Sequence, residues 1–240
     1  MSISASFNPN DFQRLIENHG YNAYWSKAIV CECLENGQPD MHCEYCQGKG
    51  WRYLPREHVK LVSTSFTGKQ ELIVPGLKEP GTVYVTPEIE IIMGYYDKIE
   101  FYEIDARHSQ VIKMGIEETT ATFRPINDLN FVLAGDYVYT ETVDFIVTAD
   151  KHHLKWINPE TKPKKGTKIS ILYLTSPEYL VVDMNHELRS TRVSKGTVNP
   201  YTAKMPNQYQ LRRIDFVYGH TVNAKREEIK IAESEGLSYD

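Results

Sequence analysis

Lys168-Ile-Ser-Ile-Leu-Tyr-Leu-Thr-Ser-Pro-Glu-Tyr-Leu-Val-Val-Asp-Met184 holds two β-branched and aromatic runs, 168–174 and 179–184, with a four-residue, proline-bearing break between them. Such runs read as strands, and the break is too short for a crossover helix. Working outward, similar segments recur at Val59–Phe66, Thr82–Thr86, Glu88–Met93, Lys98–Ile104, Thr119–Arg124, Tyr137–Thr140 and Val143–Thr148. Gln208–Val217 adds one more, and His186–Val193 continues the pattern weakly. Turn clusters separate them at Pro75-Gly76, Glu79-Pro80-Gly81 and Tyr96-Asp97. Strands at short spacing without a long helix between them indicate a mainly β chain, an antiparallel barrel or sandwich.

The helical signals lie at the ends. Residues 8–20 read as a short amphipathic helix, with Asn8 or Asn10 as N-cap, Phe12, Leu15 and Ile16 on one face, and Gly20 as the stop. A second helix is expected over 224–235 within a C-terminal tail, 221–240. The expected division is therefore an N-terminal segment 1–58, a β-rich body 59–220 and the tail. Residues 194–206 read as an irregular excursion suited to contact with a partner, and the lysine-rich loop 158–166 as a solvated strand connection.

All four cysteines fall between Cys31 and Cys46, as Cys31-Glu-Cys33 and Cys43-Glu-Tyr-Cys46. The nine residues between the pairs carry turn formers at Asn36-Gly37 and Pro39-Asp40, so the chain can double back and bring the pairs together. Two close thiolate pairs are the usual donors to a structural Zn2+, and four protein ligands leave no open position for catalysis. His42 and His58 stand near enough to replace a cysteine. Gly48 and Gly50 suit a knuckle whose N–H groups turn toward sulfur, and Trp51 can cover one side of it. Disulfides between the pairs are geometrically possible, whereas one joining Cys31 to Cys33 is strained.

Composition narrows the function classes. The chain has 240 residues, 41% hydrophobic and 25% charged, with a formal net charge of −5. No apolar run is long enough to span a bilayer as a helix. The net negative charge argues against a surface that grips nucleic acid throughout. Sixteen tyrosines against eight phenylalanines suit half-buried strand faces and wet contact surfaces. The N-terminus lacks a basic and apolar leader pattern, so a cytoplasmic product is expected. No phosphate-binding glycine loop, nucleophile elbow or His-Glu-x-x-His occurs, and neighbouring His152 and His153 point to opposite faces of a strand. The expectation is a protein that is not an enzyme.

The unit Cys43-Glu-Tyr-Cys46-Gln-Gly48-Lys-Gly50 is similar to the repeated zinc unit of Hsp40 co-chaperones, which carry four such units where this chain has one. Cys31 to Trp51 as a whole, and more loosely Asp97-Lys-Ile, Leu154-Lys-Trp156, the turn 163–166 and Ser176–Val182, resembles the neck proteins of tailed bacteriophages. That resemblance implies a virion structural protein at the head–tail joint, made in the host cytoplasm. It also implies a ring, sixfold or twelvefold, between the portal or adaptor and the tail-terminator or tail proteins, open to non-specific contact with the packaged DNA. The alternative reading is a zinc-knuckle protein that binds nucleic acid.

Overall fold

The computed structural model describes residues 9–64, 81–184, 190–193 and 201–218. The expected turns at 75–76 and 79–80, the excursion over 194–200, the helix at 224–235 and the candidate cap Asn8 lie outside these residues.

In chain order the elements are α1 (Pro9–His19), β1 (Tyr21–Ser26), β2 (Ala28–Val30), β3 (Leu34–Glu35), β4 (Gln38–Pro39), β5 (Trp51–Tyr53), β6 (Glu57–Thr64), β7 (Thr82–Pro87) and β8 (Lys98–Glu100). There follow β9 (Ala106–Lys113), β10 (Thr119–Ala121), β11 (Asp128–Ala134), β12 (Tyr137–Tyr139), β13 (Phe145–Val147), β14 (His153–Trp156), β15 (Lys168–Thr175) and β16 (Glu178–Met184). The last are β17 (Ser190–Val193), β18 (Tyr201–Lys204), β19 (Tyr209–Arg213) and α2 (Ile214–Tyr218). The chain is mainly β, as its strand runs predict.

The chain divides into two compact units, after Phe101 and again after Pro177. In the first, six antiparallel strands close a barrel in the order β1-β6-β7-β19-β16-β8. Closure comes from β1, which pairs with β6 through Ala23↔Val59 and with β8 through Trp25↔Ile99. Directly paired residues share a face of the sheet. The register therefore sets Ala23, Val59, Leu61, Val85, Ile99, Tyr209 and Leu211, all buried, on one common inner face. A closed barrel leaves no strand edge open. Helix α1 packs on β6 through Ile16, 1% exposed, while Leu15 stays 46% exposed. It stops where predicted, at Gly20, whose N–H reaches Ile16 O at 2.8 Å. A Cβ on Gly20 would lie 2.4 Å from that oxygen.

The second unit pairs a sheet β10-β14-β13 with a sheet β12-β11-β15-β9, all antiparallel. Both contribute to one core, in which Phe145, Leu154 and Trp156 pack with Val132, Ile169, Ile171 and Tyr173. The lysine-rich loop 158–166 joins β14 to β15.

Several expectations change. Glu88–Met93 is not a strand: Ile91 N–H bonds to Glu88 O at 3.0 Å in a turn, and Met93 N–H bonds to the Tyr209 hydroxyl at 3.1 Å. The turn buries Met93 and leaves Ile92 62% exposed, so the apparent alternation serves one anchor only. The strand expected at 98–104 ends at Glu100, and the one expected at 208–217 gives way to α2 at Ile214, whose side chain packs on Leu180 and Tyr53. Tyr201–Lys204, read as irregular, pairs with β17. The barrel also recruits β1 from the segment 1–58, and the span 59–220 contains parts of two units.

A four-cysteine candidate metal centre

The cysteine module is the end of a hairpin. Strands β2 and β5 pair through Ala28↔Tyr53, Ile29↔Arg52 and Val30↔Trp51, and the chain between them makes the knuckle. Its base is anchored twice. Tyr53 is fully buried and packs with Leu180 and Ile214, on the outer side of β16. Trp51 stacks on Tyr96, with ring centroids 4.7 Å apart and planes 24° from parallel.

Asp97 adds a polar anchor. Its Oδ2 accepts from Trp25 Nε1–H at 2.7 Å and Gly94 N–H at 2.8 Å, and its Oδ1 accepts from Ala28 N–H at 2.8 Å. Its backbone joins β16 through Val181 N–H at 2.9 Å. One buried carboxylate thus links β1, β2 and the turn before β8. Burial raises its pKa above the ordinary carboxylate value, and the three N–H donors oppose that shift without cancelling it.

Within the knuckle, Asn36 and Gly37 both have positive φ, 51° and 80°, the conformation of a tight two-residue hairpin turn. This turn joins β3 to β4 and reverses the chain between the cysteine pairs, as the Asn-Gly dipeptide predicts. The Cys31 N–H bonds to Gly50 O at 2.8 Å, the Gln47 N–H to Cys43 O at 2.9 Å and the Lys49 N–H to Cys46 O at 3.0 Å. Gln47, Gly48 and Gly50 take positive φ of 52°, 81° and 80°, which winds the chain tightly behind Cys46. A Cβ on Gly48 would lie 3.1 Å from Met41 Sδ.

The four sulfurs lie within 4.8 Å of one another, with Cys31 to Cys43 at 3.8 Å and Cys33 to Cys46 at 3.4 Å. A tetrahedral ZnS4 centre with Zn–S near 2.3 Å has S···S edges of about 3.8 Å. All four cysteines are free, so no disulfide competes for them. The arrangement is compatible with a metal ion held by four thiolates.

Electrostatics distinguish the sulfurs. Backbone N–H groups of Cys46 and Tyr45 bring Cys43 down to about 7. Burial pushes Cys31 up to about 12 against the N–H of Cys33, and burial also raises Cys33 against the N–H of Asp40. Four sulfurs this close cannot all ionise without a cation among them, because like charges raise one another's pKa. The N–H donors come from the turns that carry the cysteines, where the sequence pointed to the glycines after Cys46. The glycines instead supply the left-handed backbone.

His42 and His58 stay outside the cluster. His42 is exposed, its N–H held by Asp40 Oδ1 at 2.8 Å, and His58 lies on the barrel exterior with its ring 4.6 Å from that of Tyr24. Trp51 packs on Tyr96. The side chain the sequence did not single out is Arg52, which pairs with Glu32 at 2.6 Å and lies 4.6 Å over the Tyr45 ring. His153 pairs with Asp150, Nδ1 to Oδ2 at 2.8 Å, and Thr148, the His152 N–H and His153 together hold that carboxylate below its usual range.

No protein-family model matches the chain, and a search among curated proteins finds no relative. Among the described residues no helix is long and apolar enough to cross a membrane.

Proposed function

We propose that Cys31, Cys33, Cys43 and Cys46 bind one structural Zn2+ and that the chain is a structural, non-enzymatic subunit of a tailed-phage neck. The convergence of the four sulfurs at the end of a hairpin anchored to a closed barrel carries the zinc reading. Four thiolates suit Zn2+ and leave no coordination position for substrate or water, so the site's role is to hold a short segment in shape. The resemblance of Cys31–Trp51 to phage neck proteins, together with a rigid β scaffold, supports a ring subunit joining the portal or adaptor of a filled head to the tail.

The test is metal analysis and solution mass of the full chain, beside a Cys43→Ser/Cys46→Ser variant. The expected result is about one zinc per chain, lost in the variant, and a sixfold or twelvefold mass, alone or on purified heads. Protein purified under reducing conditions with no metal overturns the zinc reading. Failure to associate with heads, tails or itself overturns the neck reading.

A further inference from the structure

The outer face of the second unit's four-stranded sheet is apolar at its centre. Inward, Ile169, Ile171 and Tyr173 of β15 enter the core. The alternate residues face out: Ser170 pairs with Val111 and Leu133, Leu133 with Val138, and Leu172 with Phe131. Of these, Val111, Phe131 and Val138 are 61%, 55% and 55% exposed. Contiguous exposed apolar residues on one sheet face mark a contact surface. One end of the face is basic. Lys113 and Lys168 are paired across β9 and β15 and both exposed, and the loop bearing Lys164 and Lys165 closes on that end through Gly166 N–H to Met114 O at 2.9 Å. Asp136 lies in the β11–β12 turn toward that end, Glu117 and Glu118 follow β9 beyond Met114, with the Glu117 carbonyl accepting from Lys162 of the loop at 2.9 Å, and Arg107 and Asp128 lie at the other end.

The knuckle has the complementary character. Met41, Val30 and Tyr45 are 73%, 51% and 50% exposed. The same segment carries Glu32, Glu35, Asp40 and Glu44, all exposed, against two cations, Lys49 and Arg52, the latter already paired with Glu32. Four thiolates around a divalent cation add further negative charge.

We infer that the knuckle of one copy docks on the outer sheet face of the second unit of another copy, apolar centre to apolar centre, with Glu35 and Glu44 toward Lys113 and Lys168. Charge complementarity between two patches of the same chain selects a second copy as the occupant. Two different patches in contact form a heterologous interface, which closes into a ring or propagates. The inference rests on the ring reading above and names the surfaces that make the ring.

The experiment uses the full chain at low salt, with weight-average mass from sedimentation and near-ultraviolet circular dichroism as the check on folding. Wild type is expected well above the 27.7 kDa of one chain, falling toward it as salt rises. Lys113→Glu/Lys168→Glu and Glu35→Lys/Glu44→Lys should each be monomeric. An equimolar mixture of the two should reassociate, because each reversed patch then meets its opposite in the other variant. A closed dimer showing this exchange keeps the contact and removes the ring. A ring whose mass neither variant changes removes the contact and keeps the ring. Wild type monomeric at every concentration, or lysine variants that lose only salt-sensitive binding to double-stranded DNA, overturns the inference.

Discussion

In the barrel Leu61, Val85, Ile99 and Leu211 are wholly buried, whereas between Cys31 and Gly50 the only buried side chains are those of Cys31 and Cys46. The barrel holds its strands by such burial, about 2 kcal/mol for each of these side chains, and by a sheet with no open edge. The knuckle has turns, backbone bonds and an exposed ion pair, and exposed pairs contribute on the order of 0.5 kcal/mol. A segment this short cannot build an apolar core. It is held by Asp97, Tyr53 and Trp51 at its base and by whatever joins its four sulfurs at the tip.

Metal removal should separate the two regions most sharply. Chelation, or Cys43→Ser/Cys46→Ser, is expected to free the amides of 31–50 to exchange while those of β1, β6 and β19 stay protected. A metal term of roughly 10 kcal/mol is typical of small zinc modules. Equal loss of protection in both regions would show that the barrel depends on the knuckle. The next largest effect belongs to the barrel. Leu61→Ala should cost about 3 kcal/mol of global stability in denaturant melts and leave metal content unchanged.

Asp97→Asn tests the shared base. An amide can satisfy Trp25 and Gly94 with its oxygen but then turns an N–H toward the Ala28 N–H, so the cost is about 2 kcal/mol. The raised pKa gives this position a pH signature as well. The folded state keeps the proton to higher pH than the unfolded state, so wild-type stability relative to Asp97→Asn should be greatest below about 3.8. It should fall as pH rises through the folded value and level off above it. A difference independent of pH, followed by thermal melts, would contradict a buried titrating carboxylate. The smallest effect is Gly37→Ala, at φ +80° with no neighbour within 4 Å, which costs about 1 kcal/mol through backbone conformation alone. It should slow metal uptake by the knuckle without touching the barrel's melting.

What was readable in the sequence follows the same contrast. The knuckle was legible because its determinants are local: four cysteines, Asn36-Gly37 and the glycines after Cys46 act within twenty or so residues of each other. Strands with one apolar face, such as β7 and β15, were legible by alternation, and β16 by its continuous apolar run, since Leu180 and Val181 are buried on opposite faces. Strand β9 was not, because the residues it turns inward are His108 and Gln110. Strand β1 reads Tyr-Asn-Ala-Tyr-Trp-Ser, in which the small inward Ala23 and the inward Trp25 enclose an outward aromatic, Tyr24, so no apolar face stands out. Barrel closure and the division into two units depend on pairings such as Trp25↔Ile99 and Tyr179↔Ile99, far apart in the chain, which no local pattern encodes.

Strands β8 and β16 are neighbours in the barrel, with Glu100 opposite Glu178, yet the whole second unit intervenes between them in the chain. The entropic cost of closing a loop grows with its length, and contacts between distant segments form slowly. The second unit removes most of that distance, because its own first and last strands pair as far as Ala106↔Thr175. Once it folds, β8 and β16 are joined by two short connectors, 101–105 and 176–177, in place of a long open chain. The inserted unit is therefore expected to fold first and nucleate the barrel seam. Pulse-labelled hydrogen exchange during refolding, with β15 protected before β16, is the order this connectivity imposes.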